Sequence, residues 1–487
     1  MYCKQSLRMV ASPEMTTVSP QEPEEAVSAV SEAASAARGK SGPIDAAGAS
    51  RLPSPPTVSS SPFVQLLRFR QRQSEFVFRA RRELGDVFEV RNGGVDLTIT
   101  GHPDDVRSMF TASELAPSTA DESPLRPMLG PNSVLTATGE RHMRQRKLLL
   151  PFFHGEAIER YAEAIADATE REIDSWPVGE PFPLAPRMQA ITLDVIMAGI
   201  FGIEGRPRAG TPEYRLRAAT RRLTRITTHP AGQLVELMNA RSQEPIGLGK
   251  PLVRMVERPF DALIEQRRLA DDLQERRDIL SLLLQTRTED GRALTLEEIR
   301  AELITLILAG HETTANSLAW AWERLVRNPA AHERLLDAVR TDTDAAEVIE
   351  QTIVETMRSR PVVPIVGRRV TVPWRFGDHA VPADTTVLIS ILLIHHREDL
   401  YPDPFEFRPE RWVDRKPGTY EWLPFGGGIR RCLGAALAMA EQRVALETMA
   451  RRLDLELDDP APERALHRNV TMIPRQGARI VVRSRSR

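Results

Sequence analysis

After Pro103 the spacing of apolar residues is predominantly helical, and period-two alternation is confined to short runs. The pattern predicts a mainly α fold with small β-sheets. Residues 85–91 and 96–100 alternate as a small hairpin would, and strand-like runs return only at 362–372, 385–392 and 479–483. The longest helix candidate opens at Thr295-Leu-Glu-Glu298, a capping box in which hydroxyl and carboxylate satisfy each other's free backbone donors, and it runs to Asn328-Pro329. At about 1.5 Å per residue it would span about 48 Å. Residues 303–308 are apolar on most faces, which places this helix in the middle of a core.

Residues 1–50 depart from that pattern. They are rich in Ala, Ser, Glu and Pro with few large apolar groups, so they cannot bury enough surface to offset their ordering entropy, and a disordered tail is expected. Residues 51–487 are then expected to form one domain, with ample core material in a chain of 487 residues that is 41% hydrophobic. The formal net charge of −2 gives no global reason to expect nucleic acid or an anionic membrane as partner. Lys4 and Arg8 precede no apolar stretch of signal-peptide length, and nowhere do about 18 apolar residues run together, so no membrane anchor is expected. Cys3 and Cys432 are the only cysteines, which excludes a disulfide framework and fits a reducing, cytoplasmic compartment.

Cys432 carries the most telling chemistry. In Phe425-Gly-Gly-Gly-Ile-Arg-Arg-Cys432-Leu-Gly434 it stands between a glycine-rich turn and an alanine-rich helical run, with Arg430 and Arg431 before it. A helix start and neighbouring arginines favour a thiolate, so a lowered pKa is expected there. Gly426, Gly427 and Gly428 would let the turn lie flat under a large planar cofactor and aim N–H groups at the sulfur. Within the long helix stands Ala309-Gly310-His311-Glu312-Thr313-Thr314. Glycine and a buried acid are costly in a core helix, and the Thr313 hydroxyl can bond back to the Ala309 carbonyl, opening a small groove where dioxygen could sit. A zinc motif of the H-E-x-x-H type fails, because its second histidine position is Ala315.

The spacing Phe425-x-x-Gly428-x-Arg430-x-Cys432-x-Gly434 resembles the haem-binding loop of the cytochrome P-450 haem-thiolate monooxygenases, and the resemblance extends over roughly residues 51–487. It implies the fold of that family, with haem b between the long central helix and the cysteine loop and Cys432 as the iron ligand. Phe425, Gly428, Gly434, Ala309 and Gly310 would line the cofactor. Thr313 would hold activated dioxygen by a hydrogen bond while Glu312 feeds protons. In Glu355-Thr-Met-Arg358 the charges are three apart on one helical face, and Arg411 in the later Pro409-Glu-Arg-Trp412 would complete a buried Glu-Arg-Arg scaffold. His142 and Arg146, four apart, would hold the haem propionates with Arg368 and Arg430, and Arg369 stands in if the strand register is off by one.

The chain lacks the thiolates of an iron–sulfur site and the third glycine of a dinucleotide loop, so electrons must come from outside it. The resemblance implies a ferredoxin or flavodoxin-type donor with its reductase, and Arg141, Arg144, Lys147 and Arg431 offer a basic surface for it. The reaction implied is insertion of one atom of O2 into a hydrophobic small molecule. The alternatives are a haem-thiolate isomerase or peroxygenase, which tends to lack the acid and threonine pair, and a haem-based binding or sensor protein. Segments 112–135, 200–250, 362–366 and 470–473 match where the family lines its pocket, and the latter two are apolar.

Overall fold

The computed structural model describes residues 40–486 apart from 93–94, 154, 204, 206, 229–237, 240–241, 289–290 and 469. Helices dominate, with strands gathered into four small sheets among these residues. Helices used below are α1 (Pro103–Thr111), α2 (Gly139–Leu149), α3 (Ala185–Phe201), α4 (Leu296–Arg327), α5 (Ala345–Ser359) and α6 (Ala435–Arg452). None of the helices among the described residues is long and apolar enough to cross a membrane.

α4 is the axis of the molecule. Thr295 and Glu298 form the expected capping box, with Glu298 N–H donating to Thr295 Oγ1 at 3.2 Å and Thr295 N–H to Glu298 Oε2 at 2.8 Å. Its two halves enter different apolar clusters: Leu303, Ile304 and Ile307 pack with α3 residues such as Met197 and Ile200, while Leu318, Trp322 and Leu325 pack with Leu446 and Met449 of α6. The helix is therefore buried along most of its length by burial of apolar surface on several sides.

The largest sheet has four strands in the order β2 (Val87–Asn92), β3 (Val95–Thr100), β5 (Thr386–Ser390) and β4 (Ile365–Arg369). β2 and β3 form the expected hairpin, and β3 runs parallel to β5. Antiparallel pairing of β4 with β5 sets Arg368 opposite Val387. Alternation then turns Arg368 inward and Arg369 outward, where its Nη2 pairs with Glu122 at 2.5 Å. The strand-like run at 385–392 is shorter than expected, because Ser390 caps a short helix, Ile391–His395, through the N–H of Leu393. A hairpin of β6 (Ala465–Arg468) and β7 (Thr471–Pro474), which the sequence pattern did not announce, lies beside α4, where Trp320 Nε1 donates to Met472 O at 3.3 Å.

The tail reading needs correction at its inner end. The expected disorder of residues 1–50 falls mostly on 1–39, which lie outside the described residues together with Cys3. Residues 42–43, however, form an edge strand, β1 (Gly42–Pro43), against Trp374 and Arg375, and Ser41 Oγ donates to buried Asp105. Composition missed this because the partner is distant strand 374–376, whose edge supplies the hydrogen bonds and tolerates Pro43.

Candidate active site

The cysteine loop is fixed from behind by a buried network. Glu355, on α5, accepts from Arg358 Nε and Nη2 at 2.8 and 2.9 Å, from Arg411 Nε at 3.1 Å, from Trp412 Nε1 at 3.0 Å and from Arg408 N–H at 2.9 Å. Glu355 and Arg358 are both wholly buried. Arg358 Nη1 goes on to the carbonyls of His395 and Pro404, and Nη2 to that of Glu406. His395, not anticipated from the sequence, links this network to the loop: its Nε2 accepts from Leu423 N–H at 2.7 Å, so the Nδ1 proton points to Arg358 O at 3.2 Å. Burial, then the charge of Arg358, pushes its pKa down to about 3, which keeps the ring neutral in that tautomer.

From Leu423 the chain passes to Phe425, whose carbonyl accepts Cys432 N–H at 3.0 Å. Gly426 and Gly428 take positive φ of 65° and 64°, which folds the intervening turn. The glycines have a job the sequence did not reveal. A Cβ at Gly427 would lie 2.5 Å from the Phe110 ring, and one at Gly428 would lie 3.0 Å from Phe110 O, so these glycines admit α1 against the loop. Gly434 has more room, its nearest neighbour being Phe153 at 3.9 Å.

Cys432 lies three residues before α6 and is solvent-accessible. Its pKa is raised, not lowered as expected: although the residue is exposed, the protein atoms crowded around the thiol desolvate it, and this outweighs the Gly434 N–H and the fields of Arg146 and Arg431, which pull the other way. The backbone donor that acts on the sulfur comes from Gly434, the residue that caps α6, and not from the glycine triplet. A thiol of this kind becomes a thiolate when a metal displaces its proton.

Four basic side chains gather beside it. His142 is buried on α2, and burial, then Arg430 and Arg146, push its pKa down to about 4. Arg368 is buried and stacks 4.8 Å from the Phe110 ring centroid; burial, then Arg430, bring its pKa down to about 10. Arg430 is held at about 10 by burial, with Asp121 opposing and Arg146 adding to the effect. The three guanidiniums spend their donors on main-chain carbonyls: Arg146 on Arg431 O, Arg368 on Gly367 O, Arg430 on Val134 O and Ala137 O. Among the described residues none of the three meets a carboxylate at ion-pair distance. Arg369 does, on the outer face, and so stands apart from the group.

Opposite, Ala309 is exposed although it lies midway along a core helix. Leu308 beside it and Leu433 beside Cys432 join one apolar cluster, so helix and loop form adjoining walls. Thr313 Oγ1 donates to Ala309 O at 2.5 Å, the back-bond expected, which leaves its lone pairs on the accessible side until the hydroxyl rotates. Gly310 points elsewhere than expected: a Cβ there would lie 2.8 Å from Ile196 Cδ1, so its role is to let α3 approach α4. Glu312, expected here, pairs with Arg468 of β6, a partner that local spacing did not reveal. Asn316, also unforeseen, is buried, and among the described residues its Nδ2 has no hydrogen-bond partner, the kind of group that a bound water satisfies.

These residues suit haem. Among the described residues no three His, Cys, Asp or Glu side chains are grouped to hold a metal by themselves. A single accessible thiol instead matches a metal whose other ligands come from a macrocycle. Arg430 repels both Arg146 and Arg368, and among the described residues no carboxylate pairs with any of the three, which matches the carboxylates such a macrocycle carries.

Known proteins resemble this chain in sequence and in fold. A Mycobacterium tuberculosis protein assigned the name cytochrome P-450 138 is 35% identical over 448 residues, 89% of this chain and 98% of its own length. Another, from Mycobacterium bovis and assigned the name cytochrome P-450 135B1, is 35% identical over 452 residues, 90% and 93% of the two chains. The fold is that of a retinoic-acid-bound cyanobacterial CYP120A1, with a TM-score of 0.73 at 23% identity over 89% of this chain and 100% of the other. It also matches the haem domain of cytochrome P-450DA, with a TM-score of 0.76 at 20% identity over 89% and 98%. The family model for cytochrome P-450 matches residues 53–482, and the chain belongs to that family of haem-iron, oxygen-using monooxygenases.

Proposed function

We propose that this protein hydroxylates a hydrophobic small molecule with the help of a haem b whose iron Cys432 would ligate and whose propionates His142, Arg146, Arg368 and Arg430 would hold. Bound haem supplies reductive activation of dioxygen and transfer of one oxygen atom to a C–H bond. The protein's own contribution is position and protons. The observation that carries the reading is the pairing of walls: an accessible thiol flanked by guanidiniums that meet carbonyls but no carboxylate among the described residues, beside the stretch of the central helix where Ala309 is exposed and Glu312 and Thr313 follow.

Cys432 is held by its N–H on Phe425 O, so the sulfur is presented on a rigid turn. Thr313 can turn its hydroxyl from Ala309 O toward the cleft and orient a proton there, and Glu312, one residue back, can replace that proton. The substrate would lie against segments 362–366 and 470–473, which are tied together by Met472 N–H donating to Val362 O at 2.7 Å. Electrons would arrive from a ferredoxin or flavodoxin-type protein at the face bearing exposed Arg141, Arg144, Lys147 and Arg431, and the setting would be the cytoplasm.

The purified protein should bind haem b and give the red-shifted Soret band of a thiolate-ligated ferrous carbonyl complex, and Cys432→Ser should abolish it. A histidine-type band in fresh protein sinks the ligand assignment. An optical-shift screen of apolar compounds then identifies a turned-over ligand. With that compound, Thr313→Ala should keep near-normal spectra and reductant consumption while hydrogen peroxide replaces product. Full coupling in that variant would leave Thr313 a structural threonine.

A further inference from the structure

Glu312 stands three residues after Ala309 and one before Thr313, so its side chain shares the accessible face of α4. Its carboxylate is not left to wander over that face. Oε1 accepts from Nη2 of Arg468, which ends β6 and whose side chain is 7% exposed, against 23% for Glu312. The two come from elements 156 residues apart in sequence, so the contact is made by the fold and not by a local motif. His311 does not compete for the carboxylate. It is buried, burial and then the field of Arg468 push its pKa down to about 4, and its carbonyl accepts from Thr192 Oγ1 on the far side of the helix at 2.8 Å.

We propose that Arg468 is the positioning residue for Glu312, fixing where the acid delivers its proton; this rests on the reading of Glu312 as the relay. A free glutamate distributes over many rotamers, and only some of them place the carboxyl within reach of the Thr313 hydroxyl. The planar guanidinium cuts that set down, and because its own side chain is buried it moves little. Arg468 also sits on the hairpin whose other strand, β7, carries Met472 and its bond to Val362. The place of the acid is thereby tied to one wall of the substrate cleft. A lysine would keep the charge but lose the planar fork, so it should restore the function only in part.

The experiment is a double-mutant cycle of Arg468→Gln and Glu312→Gln, with Arg468→Lys as the conservative variant, all haem-loaded and assayed with the tightest ligand of the optical screen. Glu312→Gln should slow product formation at least about tenfold, as expected for loss of a proton-transfer group. Arg468→Gln should slow it to a similar extent, Arg468→Lys less, and the double variant no further than Glu312→Gln alone, because both changes act through one carboxylate. Melting temperature gives a readout independent of turnover: Arg468→Gln should lower it by stranding the acid, and adding Glu312→Gln should restore part of the loss. Multiplied effects on turnover beside a slow Glu312→Gln, or additive losses in melting, overturn the positioning role while leaving the relay standing. Wild-type turnover in Glu312→Gln removes the relay itself, and with it the task assigned to Arg468.

Discussion

Around Glu355 every charge is answered within the protein, whereas beside Cys432 three guanidiniums meet only main-chain carbonyls. In the first cluster the donors of Arg358 are consumed by Glu355 and by the carbonyls of His395, Pro404 and Glu406, and the carboxylate takes further bonds from Arg411, Trp412 and Arg408. In the second, burial depresses both His142 and Arg368, and the charges of Arg430 and Arg146 add to it at His142 and that of Arg430 at Arg368. A closed network fixes geometry, and an open one marks where an outside charge belongs. Both sets of residues are arginine-rich and partly buried, so composition alone would not separate scaffold from binding site.

The comparison breaks most readily at Glu355. Glu355→Ala strands Arg358 in a wholly buried site, which costs about 3 to 5 kcal/mol. It should also loosen Leu423 through His395, so little soluble haem-loaded protein is expected. Chemical denaturation gives the number. Unchanged stability would mean that Glu355 is replaceable by water and that the network is not what holds the loop.

Arg368→Ala should behave in the opposite manner. Loss of a charge-assisted contact of about 1.5 to 3 kcal/mol predicts haem escape roughly 10 to 100 times faster, measured by transfer to an excess of apomyoglobin. Stability without haem should hold steady or rise, since Arg430 loses a like-charged neighbour. Arg369→Ala is the internal control. It breaks only an exposed pair with Glu122, worth under about 1 kcal/mol, and should leave haem retention alone. If Arg368→Ala unfolds the protein as Glu355→Ala does, the second cluster is scaffold as well.

The sequence announced these clusters unequally, for physical reasons. Glu355 and Arg358 share one turn of helix, Cys432 carries its glycines with it, and Thr295 with Glu298 caps α4, so local spacing exposed all of them. His395, Phe110 and Arg468 act on partners that are far away in the chain, and no local pattern distinguishes them from ordinary core or surface residues. Gly310 was legible as a costly residue but not in its purpose, because Ile196 lies on another helix. Residues 42–43 read as tail for a similar reason: their stability is supplied by strand 374–376. The cysteine's raised pKa arises from tertiary burial, which no count of neighbouring arginines reveals.

The smallest expected effect separates the two clusters by pH. An unfolded histidine takes up a proton near pH 6.5, but His395 is held neutral down to about 3 and His142 down to about 4. Between those limits the unfolded chain binds more protons than the folded one, so each histidine withdraws stability as pH falls from about 6.5. The loss ends near 4 for His142 and near 3 for His395. Anionic propionates beside His142 would raise its folded value toward the unfolded one and shrink its share of the loss, while His395, enclosed with Arg358, has no such visitor. Melting curves from pH 7 to 4.5, with and without haem, should therefore show a shallower acid decline in the loaded protein. His142→Gln cannot titrate, so in that variant the haem-dependent part of the difference should narrow. An acid decline equally steep in wild type with and without haem, and shallower by the same amount in His142→Gln in both, would place the propionates away from His142 and leave the three arginines as their holders.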